Sequence, residues 1–289
     1  MTKQMSEKEI KAMFGINRLP VINFSLQEIA QKAQEMVNQL SISGVQPKLS
    51  VALQKKTGEL IATAQGGEYI LKPQIGAFPH LPENENCCMN SAEDFSIEVP
   101  KHCLLSLKDG SWAYLVKRFD REKDKKIHQE DFTQILSKSD KYSGSFEEIG
   151  KTLKKISSVP GLDVQLFFER IVFNFLIGNG DAHHKNFSIR YLEDGEIRLS
   201  PAYDLVCSKL VIPREEDLAL NLNGKRNKMR KRDFDVFADY LEIPEKVRYE
   251  KFIGQAEKMI AHIHDSFLTD QEKEQFEKIV RVRWAILGG

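Results

Sequence analysis

The residues of this chain best suited to chemistry are two acids and an amide: Asp181, Asn186 five positions later, and Asp204. Phosphoryl transfer from a magnesium nucleotide needs such a set. One carboxylate orients the attacking hydroxyl and accepts its proton, while an Asn and a further Asp hold the metal that bridges the phosphates. The three residues therefore predict a combined base and magnesium site.

The spacing D-x-x-x-x-N matches the second half of the protein-kinase catalytic loop, but Asn179 and Gly180 stand where that loop has His-Arg. His183 instead fits the D-x-H-x-x-N loop of phosphoinositide-type kinases. The alternative is that Asn-Gly-Asp is ordinary turn chemistry and that the spacing arises by chance. The decision between the two depends on the surrounding elements.

Those elements favour the catalytic interpretation. Apolar residues at helical spacing predict a helix over residues 162–177 that ends at Gly178, just before Asp181. Residues 187–191 and 196–199 flank Asp194-Gly195, a pair typical of a hairpin turn. The hairpin predicts that Asp204 returns beside Asn186.

The rest of the chain predicts an α+β fold with two lobes, a strand-rich one over residues 1–127 and a helical one over 128–289. In the first, Ser25 and Glu28 form a capping box for a helix that reaches residue 40. Strands are predicted over residues 49–53, 60–64, 68–71, 103–107 and 112–117. Helices are predicted over residues 84–95, 146–156, 164–177, 233–240, 246–263 and 271–287.

The composition indicates an ordinary soluble protein. The 289 residues carry 42 basic and 42 acidic side chains, so net charge gives no reason to expect binding to nucleic acid or to a membrane. The four cysteines lack metal-site spacing, no signal peptide opens the chain, and no stretch is apolar enough to span a bilayer. A cytoplasmic location is expected.

Two further segments fit a nucleotide site. Residues 41–48, Ser-Ile-Ser-Gly-Val-Gln-Pro-Lys, place one glycine among small hydroxyl residues, where backbone N–H groups can approach phosphate. Lys72 ends a predicted strand, as the phosphate-binding lysine of kinases does. A plain turn and a solubilising lysine are the alternatives, because neither segment matches a strict motif.

These segments together resemble the HipA-like serine/threonine kinase toxins, which belong to the phosphoinositide-kinase-like fold group. The resemblance covers about residues 41 to 205. Its motifs are SISGVQPK, YILKP, NEN, LVKRFDR, HQEDF, NGDAHHKNF and PAYD.

The resemblance implies an ATP- and Mg²⁺-dependent protein kinase. It makes Asp181 the catalytic base and Asn186 and Asp204 the Mg²⁺ ligands. Glu85 becomes a candidate ion-pair partner of Lys72. The implied nucleotide-binding residues are Ser43, Gly44, Val45, Gln46, Lys48, Lys72, Lys117, Phe119, Gln129, His183 and Lys185.

Only some forty residues precede Ser41, and in this respect the chain resembles the short HipT kinases of three-part HipBST systems. That resemblance implies autophosphorylation of Ser41 or Ser43, a HipS-like and a HipB-like partner, and contact with DNA only through the HipB-like protein. The family's targets imply an aminoacyl-tRNA synthetase as substrate, either free or with tRNA bound. A phosphate in this loop adds about 1.5 to 2 negative charges and would either repel a nucleotide or hold the loop outward.

Two other functions remain open at this point. A phosphoinositide or small-molecule kinase would explain D-x-H-x-x-N, although no basic amphipathic helix or lipid anchor accompanies it. A non-catalytic module that binds a repressor would not need intact Asp181, Asn186, Asp204 and Lys72. Residues 225–232, with six basic side chains in eight, are either a solvated loop or a patch for an acidic partner such as tRNA.

Overall fold

A computed structural model of the chain describes residues 5–37, 48–122 and 125–288. It divides into two compact units. The first contains Met1–Cys87, Pro100–Asp124 and Asp265–Leu268, and the second contains Cys88–Val99, Lys125–His264 and Thr269–Gly289. The main division follows residue 124, three residues before the predicted boundary, but two short segments belong to the other unit.

The first unit is built on a five-stranded antiparallel sheet with the order β2-β1-β3-β5-β4. The strands are β1 (Leu49–Gln54), β2 (Glu59–Ala62), β3 (Tyr69–Pro73), β4 (His102–Ser106) and β5 (Trp112–Lys117), followed by the short β6 (Arg121–Glu122). Alternating residues of β1 are buried, as expected for a sheet with one face on a core. This face packs with apolar residues of the N-terminal segment, among them Met13, Phe14 and Ile29.

Two helices precede this sheet, and both begin at a capping box. The first, α1 (Glu7–Phe14), was not predicted; it begins at a capping box formed by Ser6 and Glu9. The second, α2 (Leu26–Val37), begins at the predicted box, in which the Ser25 N–H donates to Glu28 Oε2 at 2.7 Å. Beyond the sheet strand β3, α3 (Leu81–Asp94) has its residues divided between the two units.

The second unit is mainly helical. It contains β7 (Lys125–Lys126), α4 (Phe132–Ile135), α5 (Phe146–Ile156), α6 (Pro160–Leu176), α7 (Lys231–Tyr240), α8 (Ala256–His264) and α9 (Asp270–Leu287). Phe95, Phe173, Phe252 and Trp284 pack with ring centroids about 6 Å apart and form part of its core. The central helix, α6, is buried on every side from Phe167 to Leu176.

One predicted helix is wrong. The apolar periodicity over residues 246–263 predicts a single helix, whereas the structure has a short 3₁₀ turn, Glu245–Val247, and a separate α8 that begins at Ala256. Gly254 adopts a left-handed conformation with φ of 70°, which a continuous right-handed helix does not permit. The periodicity was real, but it came from two elements.

The predicted hairpin is present and carries a third strand. The strands β9 (Ser188–Tyr191) and β10 (Ile197–Leu199) pair antiparallel, and β8 (His128–Asp131) pairs with the other edge of β9. This small sheet carries the end of the catalytic loop. Among the described residues, no helix is long and apolar enough to cross a membrane.

Candidate active site

Asp181 lies on a loop that starts where α6 ends. The helix stops at Leu176, and Gly178 follows in a left-handed conformation with φ of 74°, as the sequence predicts. Buried Asn179 then fixes the loop: its Nδ2 donates to Asn174 Oδ1 at 2.7 Å and to the Asp204 carbonyl at 3.4 Å. Its Oδ1 accepts the N–H of Asp181 at 3.2 Å. Asp181 is thereby tied to the helix and to the segment that carries Asp204.

Gly180 is required by packing. A Cβ at this position would collide with the backbone carbonyl of Glu216 and with the carboxylate of Glu215. The Gly180 N–H donates to Ser208 Oγ at 2.8 Å, and Ser208 donates to Glu215. Burial raises the pKa of Glu215, the hydrogen bond from Ser208 lowers it, and nearby Asp181 raises it, so that the net shift is upward.

The metal-ligand candidates come together as the hairpin predicts. Asn186 Nδ2 donates to Asp204 Oδ2 at 3.4 Å, and Asn186 Oδ1 accepts the N–H of His183 at 3.0 Å. Asp204 has a left-handed backbone with φ of 55°, a conformation that Asp tolerates and that is typical of functional sites. An amide and a carboxylate are the oxygen donors that Mg²⁺ prefers.

These residues fit a magnesium ion that also takes ligands from elsewhere. Within residues 5–37, 48–122 and 125–288, no group of three or more His, Cys, Asp or Glu side chains is arranged to hold a metal. Mg²⁺ is commonly held by one or two carboxylates together with substrate phosphates and water. Asn186 Oδ1 and the Asp204 carboxylate offer a protein share of that size.

His183 lies close to Asp181, and its imidazole is neutral at physiological pH. Burial lowers its pKa to about 4, and the charge of Asp181 opposes this shift only in part. Its Nδ1 is buried and has no hydrogen-bond partner in the part of the chain that the structure describes. A bound group at this site can supply the missing partner.

In the first unit, Lys72 and Glu85 form a buried ion pair. The Lys72 Nζ lies 2.6 Å from Glu85 Oε1, and the two side chains are only 6% and 3% exposed. Tyr114, opposite Lys72 in the β3–β5 register, has its ring centroid 5.5 Å from the Lys72 Nζ. The lysine is therefore held at the end of β3 by charge and by packing.

The other predicted nucleotide contacts are distributed over both units. In the first, Lys48 and Phe119 are half-buried, and the Lys117 Nζ donates to the Met13 carbonyl at 3.5 Å. In the second, Gln129 Nε2 donates to Ser188 Oγ at 3.0 Å, and Lys185 is exposed. The predicted residues Ser41, Ser43, Gly44, Val45 and Gln46 lie outside the described residues.

Tyr142 was not predicted from the sequence as a site residue, but its hydroxyl donates to Asp181 Oδ1 at 2.7 Å. Nor was Tyr203, which donates to the Lys185 carbonyl at 2.8 Å and is hydrogen-bonded to Ser188. The PAYD motif contained Tyr203, but nothing local indicates its partners. Tyr142 is 39 residues from Asp181 and carries no motif signal.

The basic stretch 225–232 is partly neutralised within the protein. Lys225 pairs with Asp233 at 2.7 Å, Arg226 with Glu216 at 3.8 Å, and Lys231 with Asp235 at 3.6 Å. Lys228, Arg230 and Arg232 are exposed. The cationic surface is therefore smaller than the sequence suggests.

Comparison with known families identifies the relatives of this chain. The sequence model of the HipA-like C-terminal domain matches residues 40–281, most of the chain. The chain belongs to the HipA-like family.

The chain's expected two-lobed, kinase-like α+β fold is confirmed by solved structures. HipA of Shewanella oneidensis, in complex with HipB and operator DNA, matches with a TM-score of 0.70 and 22% identity over 89% of this chain and 71% of HipA. The Helicobacter pylori proinflammatory kinase CtkA matches with a TM-score of 0.58 and 14% identity over 86% of this chain and 91% of CtkA.

The HipA-like sequence relatives include proteins named as kinases. A putative kinase of Haemophilus influenzae is 29% identical over 93% of this chain and 88% of its own length. The putative kinase Y4dM of Sinorhizobium fredii is 36% identical over 63% of this chain, which spans 48% of that protein. The serine/threonine-protein kinase toxin HipA of S. oneidensis is 27% identical over 71% of this chain, which spans 52% of the toxin.

Proposed function

We propose that this HipA-like chain is an ATP- and Mg²⁺-dependent serine/threonine protein kinase that acts as the toxin of a toxin–antitoxin system. The observation that carries the proposal is that Asn186, on the loop that also presents Asp181, pairs with Asp204 from the segment after β10. Catalysis of phosphoryl transfer consists mainly of positioning and electrostatic stabilisation, and these three side chains supply its base and its metal ligands.

Each residue has a role that follows from its position. Asp181 accepts the proton of the substrate hydroxyl, and Asn186 Oδ1 and the Asp204 carboxylate hold Mg²⁺. Lys72 binds the nucleotide phosphates, with Glu85 keeping its ammonium in place. Neutral His183 offers Nδ1 as a hydrogen-bonding atom without adding charge. The magnesium nucleotide, when bound, supplies the phosphoryl group and neutralises its developing charge.

The proposed substrates are an aminoacyl-tRNA synthetase, either free or with tRNA bound, and the chain's own Ser41 or Ser43. The proposed partners are a HipB-like DNA-binding antitoxin and, as in HipBST systems, a HipS-like protein. What supports a HipB-like partner is that HipA of S. oneidensis forms a complex with HipB and operator DNA. Exposed Lys228, Arg230 and Arg232 are the remaining candidates for contact with tRNA.

Mapping of transferred phosphate tests this function. Purified chain is incubated with ATP and Mg²⁺, alone and with a bacterial lysate, and phosphorylated residues are identified by mass spectrometry. We expect phosphate on Ser41 or Ser43 and on a synthetase. We expect none when EDTA removes Mg²⁺ or when Asp204→Asn weakens the metal site.

The acceptor decides between the candidate functions. Absence of phosphate on this chain and on every lysate protein would contradict the protein-kinase proposal. Transfer to a lipid extract alone would favour the phosphoinositide-type alternative. Transfer that persists in EDTA would overturn the assignment of Asn186 and Asp204 as metal ligands.

A further inference from the structure

Tyr142 places a hydroxyl on the base itself. Its Oη lies 2.7 Å from Asp181 Oδ1, and because a carboxylate only accepts, the tyrosine is the donor. In the part of the chain that the structure describes, no other side chain donates to the Asp181 carboxylate. This is the hydrogen bond that an acceptor hydroxyl must make with a general base before its proton is removed.

The backbone of Tyr142 is firmly held. Its N–H donates to Asp140 Oδ1 at 3.0 Å, and its carbonyl accepts from Arg226 Nη2 at 2.6 Å. The preceding Lys141 carbonyl accepts the His184 N–H at 3.3 Å, which ties this segment to the catalytic loop. The side chain therefore starts from a fixed point close to Asp181.

The side chain of Tyr142, in contrast, lies at the protein surface. It is 37% exposed, and its ring meets His183 edge-on with centroids 5.1 Å apart. The Nζ of half-buried Lys141 lies 4.7 Å from the ring centroid. Rotation of the ring into solvent breaks one hydrogen bond and the ring contacts with His183 and Lys141 without opening the core.

Tyr142 remains a donor at neutral pH. Burial raises its pKa, and the hydrogen bond to Asp181 and the charge of that carboxylate raise it further. The phenol therefore stays protonated and cannot replace Asp181 as the base. What it can do is occupy the position of a substrate hydroxyl.

We propose that Tyr142 is a gate on the acceptor site: its hydroxyl holds the place of the substrate hydroxyl on Asp181, and an incoming serine or threonine must displace it. This inference rests on the proposed kinase function. The gate concerns the acceptor and not the nucleotide, so a substitution of Tyr142 should change the KM of the acceptor. A residue that merely oriented Asp181 would instead support kcat.

The test compares Tyr142→Phe with a matched control. Tyr249→Phe removes a tyrosine hydroxyl that donates to a carboxylate, Asp235 Oδ1, at 2.8 Å. The probe is the synthetic peptide NQLSISGVQPK, residues 38–48 of this chain, with Mg²⁺ and ATP. For Tyr142→Phe we expect the peptide KM to fall about tenfold, the size of one hydrogen bond to a charged group. The KM for ATP should stay the same, kcat should not fall, and Tyr249→Phe should match the wild type.

The outcomes separate the gate from the kinase proposal. If the wild type transfers phosphate and Tyr142→Phe leaves the peptide KM unchanged, or lowers kcat, the gate is wrong and the kinase stands. If the wild type transfers no phosphate to peptide or protein, the kinase proposal itself fails. Tyr142→Leu, which removes ring and hydroxyl together, must also lower the peptide KM. A rise in KM for that variant would mean that the ring binds substrate rather than excludes it.

Discussion

Asp181→Asn is expected to lower the rate of phosphoryl transfer by about 10²–10⁴-fold, the usual contribution of a positioned general base. The substitution keeps the shape of the side chain, and Asn179 still accepts the backbone N–H of residue 181. The loop therefore keeps its position while the proton acceptor is lost. Single-turnover transfer from ATP to the loop peptide measures the effect directly.

A control for this variant is Asp194→Asn. Asp194 is an exposed acid in the turn between β9 and β10, and Asn-Gly suits such a turn as well as Asp-Gly does. This control should transfer phosphate at the wild-type rate. If Asp181→Asn kept more than about a tenth of the wild-type rate, Asp181 would be a positioning group and not the base.

Of the substitutions considered, those that break the Lys72–Glu85 ion pair are expected to lower the stability of the protein most. Because both side chains are almost fully buried, Glu85→Gln removes a carboxylate contact of 2.6 Å from the Lys72 ammonium in a medium that solvates charge poorly. We expect the free energy of unfolding to fall by about 3–5 kcal/mol, as measured by urea denaturation. Lys72→Met should cost a similar amount and should also abolish ATP binding.

A double-mutant cycle shows whether the pair acts as a unit. The variant with both Lys72→Met and Glu85→Gln should be more stable than the sum of the single effects predicts, because neither buried charge remains. The exposed pair of Lys125 and Glu193, 2.8 Å apart, provides the comparison. Glu193→Gln should change the free energy of unfolding by at most about 1 kcal/mol. Equal effects at the two pairs would contradict the argument from burial.

The contacts that could be predicted from sequence are those fixed by nearby residues. A helix stop at Gly178 and a hairpin turn that contains Asp194-Gly195 set the path of the chain, and that path brought Asn186 to Asp204. The capping box of Ser25 and Glu28 was likewise complete within four residues. In each case the contact could be predicted because residues close together in the sequence determine the local path of the backbone.

The contacts that could not be predicted depend on packing between distant segments. Tyr142 reaches Asp181 across 39 residues, and the requirement for glycine at 180 comes from the carbonyl of Glu216. The third strand, β8, joins the hairpin by pairing of residues some sixty positions apart. The helix expected over residues 246–263 was wrong for a local reason, because the left-handed backbone of Gly254 interrupts an otherwise helical apolar pattern.

The amide of Asn179 has a consequence for how such sites decay in evolution. One side chain holds the loop of Asp181 and the backbone of Asp204 to the same helix. A substitution at Asn179 should therefore damage the proposed base and the proposed metal site together, whereas a substitution at Asp181 or Asn186 should damage one of them and leave the other in place. Descendants that have lost catalysis but still bind nucleotide should keep Asn179, and its identity is a marker that distinguishes them from descendants that bind none.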